Sequence, residues 1–286
     1  MTDPAAAPIA GTTRHDIAPA SGGEPYRVFV HAPTGPAPAQ GWPVLYMTDG
    51  NAVIATAVDA LSVQASYPTG TNVAPGVIVA IGYPVDGPYD PLRRSCDLGP
   101  PPGQAYPPFH AGGPPVRTGG AEAFLSFIET ELKPWVESRL PIDRERQALF
   151  GHSFGGLFAL YALFTRPRAF RRWIAASPAI YWEDTLIGRY RRAFAPPEGL
   201  DAQVLLSAGE YEGDRLAPFQ EAAPDAAERL KQKALIRTEG LAREMAADLA
   251  AIPGIRAGFE LHPRETHMSV LPVAVNRAVQ TAFAVR

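Results

Sequence analysis

The chain has 286 residues, 46% hydrophobic and 19% charged, which is the composition of a globular protein with a sizeable core. Its net charge of −3 gives no indication of nucleic acid or an anionic membrane as a partner, and its one cysteine, Cys96, excludes an intrachain disulfide. No stretch resembles a membrane span, and residues 1–10 do not resemble a secretory signal. These absences predict a cytoplasmic location, or a periplasmic one if a signal has been removed.

The first part of the chain predicts an arm followed by buried strands and a helix. Residues 1–24 are small and polar, which predicts a flexible N-terminal arm. Residues 26–32 alternate between apolar and polar, as a half-buried strand does. The apolar runs at residues 43–47 and 77–81 are typical of strands buried on both faces of a parallel sheet, and residues 52–65 between them predict a helix.

Residues 84–118 interrupt this alternation with a segment rich in proline, glycine, charged residues and aromatics. An irregular segment this long inside a compact domain usually has a function. We therefore expect a proline-rich cap or lid insertion beside the functional site of a single domain at residues 25–286.

The rest of the chain alternates between helix and strand patterns. Residues 121–140 have one apolar face and a predicted kink at Pro134, residues 154–164 are almost wholly apolar, and residues 226–251 predict one long charged helix. Further strands are predicted at residues 148–150, 173–176, 204–207 and 258–261. The alternation predicts an α/β fold with a mostly parallel central sheet and helices on both faces.

The sequence GHSFGG at residues 151–156 fits the pattern G-x-S-x-G of a nucleophile elbow. A short apolar strand precedes it and an apolar helix follows, which is the strand–turn–helix context that the motif requires. Gly151 and Gly155 leave room for a sharp turn that lifts the Ser153 hydroxyl above the sheet edge. The helix N-terminus beneath that hydroxyl favours developing negative charge. We therefore predict Ser153 as a nucleophile.

The base of such a site should come near the end of the chain, because the order in this class of hydrolase is serine, acid, histidine. Of six histidines, only His262 and His267 follow the expected position of the acid. His262 ends the last predicted strand, whereas His267 lies in the loop just past it. His267 is therefore predicted as the base.

The acid should follow the predicted strand at residues 204–207, where three carboxylates compete. The preferred position is three residues after the glycine, which gives Glu212, and Asp214 and Glu210 stay open as alternatives. Its task is to orient the imidazole and to stabilise the imidazolium.

Two backbone N–H groups are needed to hold the oxyanion. One should come from Phe154, directly after the nucleophile. The other should come from the loop after the strand at residues 43–47, where we predict Asn51, with Gly50 as the alternative.

Four strings resemble the putative-esterase family of α/β-hydrolases, and within it the esterases that open trilactone siderophores such as enterobactin and bacillibactin. They are VLYMTDGN at residues 44–51, RRSCDL at 93–98, GHSFGG at 151–156 and SPAIYW at 177–182. The likeness runs from about residue 26 to about residue 280. It implies an α/β-hydrolase fold and ester hydrolysis with Ser153, His267 and Glu212 in their family roles.

The resemblance also implies a substrate-binding surface. Arg93 and Arg94 match the position of arginines that bind the anionic iron–catecholate complex, and Trp182 matches a family tryptophan. The alternative for the two arginines is a solvated pair, or an ion pair with Asp90 or Asp97. The chain departs from the family pattern where it has Gly99 in place of threonine and Tyr181 in place of a tryptophan.

These observations predict a serine carboxylic-ester hydrolase that acts on a ferric catecholate siderophore trilactone. Alternatives are a carboxylesterase or thioesterase for small acyl or feruloyl esters, and a catalytically inactive hydrolase fold that serves as a binding module. We expect no cofactor, because the sequence has no metal-ligand spacing, so any iron would arrive with the substrate. The sequence leaves the oligomeric state open.

Overall fold

The structure, a computed structural model, describes residues 8–285 and is built around an eight-stranded sheet. The strands are β1 (Thr12–Ile17), β2 (Tyr26–His31), β3 (Trp42–Thr48), β4 (Val77–Gly82), β5 (Ala105–Tyr106), β6 (Val116–Arg117), β7 (Ile142–His152), β8 (Arg172–Ala176), β9 (Ala202–Gly209) and β10 (Ile255–His262). The main sheet has the order β1-β2-β4-β3-β7-β8-β9-β10, and β5 and β6 form a separate two-stranded sheet. Strand β2 is antiparallel to both of its neighbours. Six strands of the main sheet run parallel to one another, and they are β4, β3, β7, β8, β9 and β10.

Helices cover both faces of this sheet. They are α1 (Gly50–Ala65), α2 (Pro68–Thr71), α3 (Pro91–Leu98), α4 (Ala121–Phe127), α5 (Lys133–Glu137), α6 (Phe154–Thr165), α7 (Trp182–Ala193), α8 (Pro218–Glu221), α9 (Ala226–Ile236), α10 (Thr238–Ala250) and α11 (Val270–Phe283). Helices α1 and α11 pack on one face, and α4, α6, α7 and α10 pack on the other. The result is the α/β-hydrolase arrangement, which confirms the predicted fold class.

The central strands have continuous apolar sequences because both of their faces are covered. Every residue of β3 and of β4 is buried. The parallel strands β3, β7, β8, β9 and β10 end at the same edge of the sheet, so the loops that follow them converge there. A functional site is expected at this edge.

The N-terminal segment contains an edge strand where the sequence predicted a flexible arm. Thr12–Ile17 pairs antiparallel with β2, from Thr12 opposite His31 to Ile17 opposite Tyr26. None of its side chains is fully buried, so the sequence TTRHDI needs no apolar alternation and gave no strand pattern. Residues 1–7 of the predicted arm lie outside the described residues.

Two predicted helices differ in their continuity. The prediction of one helix over residues 226–251 was wrong, because Arg237 takes a left-handed conformation, φ 48°, that separates α9 from α10. Between α4 and α5 a π-helical turn, Ile128–Leu132, stands just before Pro134. Proline has no N–H to donate to the preceding turn, and a π-helical turn is a known way for a helix to absorb such an irregularity.

The insertion at residues 84–118 holds the helix α3 and the two-stranded sheet of β5 and β6. It is anchored by Leu98, at the end of α3, whose side chain is buried in the main core. Its role as a cap or lid stays a prediction.

Candidate active site

Ser153 lies on a strained turn between β7 and α6. Its backbone has φ 60° and ψ −115°, a conformation that a non-glycine residue rarely adopts. A Cβ at Gly151 would lie 2.0 Å from the carbonyl oxygen of Gly155, and one at Gly155 would lie 2.2 Å from Thr48 Oγ1. Both glycines are therefore sterically required, as the elbow motif predicted.

The structure brings Ser153, His267 and Glu212 into one hydrogen-bonded row. The distance from Ser153 Oγ to His267 Nε2 is 3.0 Å, and that from His267 Nδ1 to Glu212 Oε2 is 2.8 Å. A carboxylate can only accept, so Nδ1 carries the proton of a neutral His267. Nε2 is then free to accept a proton from the serine hydroxyl, which is the arrangement that activates a serine.

Glu212 is held as a buried carboxylate by three hydrogen bonds. Its Oε1 accepts from Ser177 Oγ at 2.6 Å and from the Gly209 backbone N–H at 2.8 Å, and its Oε2 faces His267. Burial raises the pKa of Glu212, but the bonds from His267, Ser177 and Gly209 outweigh it, so the pKa lies below its usual value. Glu212 is therefore ionised at neutral pH.

The other candidates for acid and base lie apart from this row. The carboxylate of Glu210 bonds the backbone N–H of Arg264 and the guanidinium of Arg215, and Asp214 is exposed to solvent. His262 is buried at the end of β10, and its Nε2 has no hydrogen-bond partner within the described chain. Only Glu212 and His267 occupy the positions that the chemistry requires.

His152, for which no role was predicted, supports the loop that carries His267. Its Nε2 donates to the backbone carbonyl oxygen of His267 at 2.9 Å, and the two rings lie 4.7 Å apart. Burial, and then the neighbouring His267, lower the pKa of His152 to about 3, so its imidazole stays neutral. The only sequence signal was its place directly before the serine.

The two predicted oxyanion donors come from adjoining loops. Phe154 and Asn51 each lie in the first turn of a helix, where a backbone N–H has no intrahelical acceptor. Their loops follow the neighbouring strands β7 and β3. The Asn51 side chain fixes its loop by bonding the backbone of Tyr83 and Val85, at 3.0 to 3.1 Å.

Arg94 lies beside the serine, but its charge is already paired. It makes two hydrogen bonds to Asp49, of 2.8 and 2.9 Å, whereas the alternative to a substrate-binding role had named Asp90 or Asp97 as partners. Asp49 takes a left-handed conformation, φ 56°, directly before α1. The guanidinium of Arg94 also lies over the rings of Tyr89 and Phe154.

Arg93 is tied to the N-terminal segment. Its guanidinium donates to the backbone carbonyls of Pro25 and Glu24, at 2.8 and 3.1 Å, and lies over the rings of Tyr26 and Tyr83. The guanidinium that the resemblance assigned to substrate binding is therefore already engaged within the protein.

Trp182 begins α7 and packs edge-on against Phe154, the residue after the nucleophile, with ring centroids 4.7 Å apart. Its ring also contacts Tyr106 of the insertion, with centroids 5.1 Å apart. Its buried Nε1 has no hydrogen-bond partner among the described residues. Trp182 therefore joins the insertion to the elbow.

A cleft of about 270 Å³ opens at Ser153, and we call it the nucleophile cleft. Its walls include Tyr89, Pro91 and Arg94 of the insertion, together with His267 and Met268. Within residues 8–285, no group of three or more His, Cys, Asp or Glu side chains could hold a metal ion. No helix in the same part of the chain is long and apolar enough to cross a bilayer.

Comparisons with known proteins identify the family of this chain. The model of the family described as "Putative esterase" matches residues 20–233. The chain is 38% identical to the ferri-bacillibactin esterase BesA of Bacillus subtilis, over 90% of the chain and 84% of that protein. It is 36% identical to the siderophore triacetylfusarinine C esterase of Aspergillus fumigatus, over 91% of the chain and 89% of that protein. Its structure resembles the siderophore hydrolase EstB of Aspergillus nidulans, with a TM-score of 0.85, 28% identity and coverage of 98% and 97% of the two chains.

Proposed function

This chain belongs to the putative-esterase family, and we propose that it uses Ser153 to hydrolyse the ester bonds of a ferric siderophore. The observation that carries the nucleophile is the continuous row from Ser153 Oγ through His267 to the Glu212 carboxylate. In other hydrolases this row raises the nucleophilicity of a serine that would otherwise be a weak nucleophile.

The reaction follows from the positions of the protons. His267 Nε2 takes the proton of the Ser153 hydroxyl as Oγ attacks the ester carbonyl carbon. The imidazolium that forms lies against the ionised Glu212, which stabilises its charge. His267 then gives that proton to the leaving alkoxide, and a water molecule releases the acyl group from Ser153 by the reverse sequence.

The oxyanion is assigned to the backbone N–H groups of Phe154 and Asn51. Both belong to the first turns of helices, where the partial positive charge of the helix end adds to the hydrogen bond. We assign the structural support of this pair to the Asn51 side chain and to the ion pair between Arg94 and Asp49.

The proposed substrate class is a ferric catecholate trilactone, in which iron is cargo and no resident metal takes part. Two relatives that support it are named for the esters they hydrolyse, ferri-bacillibactin and enterobactin. In the proposed arrangement the insertion at residues 84–118 lines one side of the cleft as a cap.

A second candidate is a carboxylesterase for small esters. It is favoured by the size of the nucleophile cleft, about 270 Å³, and by the engagement of Arg93 and Arg94 within the protein. A small neutral ester needs neither a wide cleft nor a free cation.

Mass spectrometry of the products from ferric bacillibactin, ferric enterobactin and 4-nitrophenyl acetate tests these proposals. We expect each cleaved siderophore ester to add one water, and Ser153→Ala to lower the rate by about 10⁴-fold or more. Ser62→Ala, an exposed helical serine, is the matched control and should retain full activity.

If the protein turns over 4-nitrophenyl acetate and neither siderophore, the small-ester function is supported and the siderophore function is rejected. If Ser153→Ala turns over any of the three substrates at the rate of the unsubstituted protein, Ser153 is not the nucleophile. A folded protein that turns over none of the three, and whose Ser153 a fluorophosphonate fails to label, would be a binding module.

A further inference from the structure

A second cleft adjoins His267 on its Glu212 side. It has a volume of about 300 Å³, and its walls include Tyr181, Tyr211, Gln220 and Lys233. We call it the tyrosine cleft. It shares His267 and Met268 with the nucleophile cleft, so these two residues form the ridge between them.

The chemistry of His267 indicates which part of an ester this cleft would take. His267 must deliver its proton to the leaving oxygen, so the leaving group has to depart beside the imidazole. The nucleophile cleft contains Ser153, which keeps the acyl group in the covalent intermediate. The tyrosine cleft contains His267 without Ser153 and lies where the leaving alcohol would pass.

Lys233 places a positive charge in this cleft, with N–H donors that are not used in other hydrogen bonds. Its Nζ donates to the backbone carbonyl of Tyr211, which leaves two of its three N–H donors available. It takes part in none of the ion pairs found within residues 8–285, whereas Arg93 and Arg94 are both paired. Lys233 is only partly exposed, and this partial burial lowers its pKa.

The helix that carries Lys233 has no part in the core. Helix α9 contains no buried side chain, and Lys233 and Ile236 are the two of its residues that line the tyrosine cleft. Lys233 therefore has no role in the core and stands in the wall of the cleft.

We infer that the tyrosine cleft holds the leaving-alcohol half of the substrate and that Lys233 selects for a negative charge on it. The rings of Tyr181 and Tyr211 supply flat apolar walls that suit an aromatic group. This inference rests on the proposed function and names the residue through which the site would prefer an anionic substrate.

Two esters of equal size test it, 4-acetoxybenzoate and 4-acetoxybenzamide, which release the same acyl group and differ by one negative charge on the leaving phenol. We expect Lys233→Met to lower kcat/KM for the benzoate about tenfold and to leave the benzamide within about twofold, because a hydrogen bond to a charged group is lost. Lys233→Arg should keep the preference. Lys231→Met, on the exposed side of the same helix, removes the same charge and should change neither ester.

Equal losses on both esters, or no loss on either, would overturn the role of Lys233 while leaving the esterase intact. If Lys231→Met lowers kcat/KM for the benzoate as much as Lys233→Met does, the effect comes from long-range charge. That result would also overturn the role of Lys233. Failure of the unsubstituted protein to cleave these esters and all three substrates of the preceding test would instead count against the proposed function.

Discussion

Arg94 and Asp49 form a bidentate ion pair next to the nucleophile, and the Asp49 side chain is only 4% exposed. The pair joins the insertion to the loop that carries Asn51. Asp49 is also the residue before α1, in a left-handed conformation that sets the direction of the helix.

Removal of Arg94 should therefore destabilise the fold. We expect Arg94→Met to lower the free energy of unfolding by about 3 kcal/mol, because it leaves the Asp49 carboxylate buried and unpaired. Urea unfolding measures the loss, and Asp49→Asn in the same chain should restore part of it. Arg144→Met, which breaks an exposed ion pair with Glu137, should cost much less, because water screens that pair.

The same variant distinguishes a structural arginine from a substrate-binding one. With Arg94→Met, kcat/KM for a neutral and for an anionic ester should change by the same factor, since the charge of Arg94 is paired internally. A selective loss on the anionic ester would contradict the structural role.

His152 should make the protein sensitive to acid. Its pKa is about 3 in the folded protein and 6.5 in an ordinary setting, so the unfolded chain binds this proton more readily. Stability is complete above pH 6.5 and falls as pH drops towards 3. At pH 4.5 the cost should be about 2 to 3 kcal/mol relative to pH 7.

His152→Gln should remove most of this pH dependence, because the glutamine amide can donate to the His267 carbonyl without titrating. The measurement is urea unfolding at pH 7 and pH 4.5. Glu212 affects the pH dependence of stability mainly below its ordinary pKa of 4.5. Its pKa is lower in the folded protein, so the folded state loses stability as the pH falls below 4.5. His110→Gln, an exposed change of the same kind, should keep the full dependence, and equal slopes for both variants would show that another group is responsible.

Ser177 is expected to tune the acid of the proposed triad. Ser177→Ala removes the 2.6 Å hydrogen bond to Glu212 Oε1, so the pKa of Glu212 should rise and its hold on His267 should weaken. We expect kcat to fall about tenfold and the acidic limb of its pH profile to move. Glu212→Gln should lower kcat far more, by about 10⁴-fold. A tenfold fall with an unmoved acidic limb would mean that Ser177 acts on the fold alone.

Gly151 tests the elbow directly. In Gly151→Ala the new methyl group would meet the Gly155 carbonyl oxygen at 2.0 Å, so the turn must shift and carry Ser153 with it. We expect kcat to fall by about 10²-fold, since a displacement of about 1 Å has such effects, or the protein to be recovered unfolded. Gly258→Ala has no heavy atom within 4 Å of the new Cβ and should retain activity. A fully active Gly151→Ala would contradict the steric account.

The sheet and the row at Ser153 were predictable because their signals are local or ordered along the chain. Gly151 and Gly155 of the elbow lie only four positions apart. Chain order left His262 and His267 as candidates, and the place of His267 in the loop past the last strand decided between them. The distance from the strand end identified Glu212 among three carboxylates. Its support by Ser177 was not predictable, because those two residues lie 35 positions apart.

The internal contacts of Arg93 and Arg94 could not be predicted from the sequence either. Arg94 pairs with a residue 45 positions away, and Arg93 bonds carbonyls 68 and 69 positions away. Neither contact leaves a pattern in composition or spacing. The break at Arg237 was hidden for another reason, since neither glycine nor proline marks it.

Helix α9 reaches the tyrosine cleft without contributing a buried side chain to the core. Its side chains can therefore vary with little effect on the core, and substitutions at Lys233 and Ile236 act directly on what enters the cleft. Positions 233 and 236 are consequently the ones to randomise when the protein is engineered for new esters, because a library confined to them changes the cleft wall while the nucleophile and its partners stay in place.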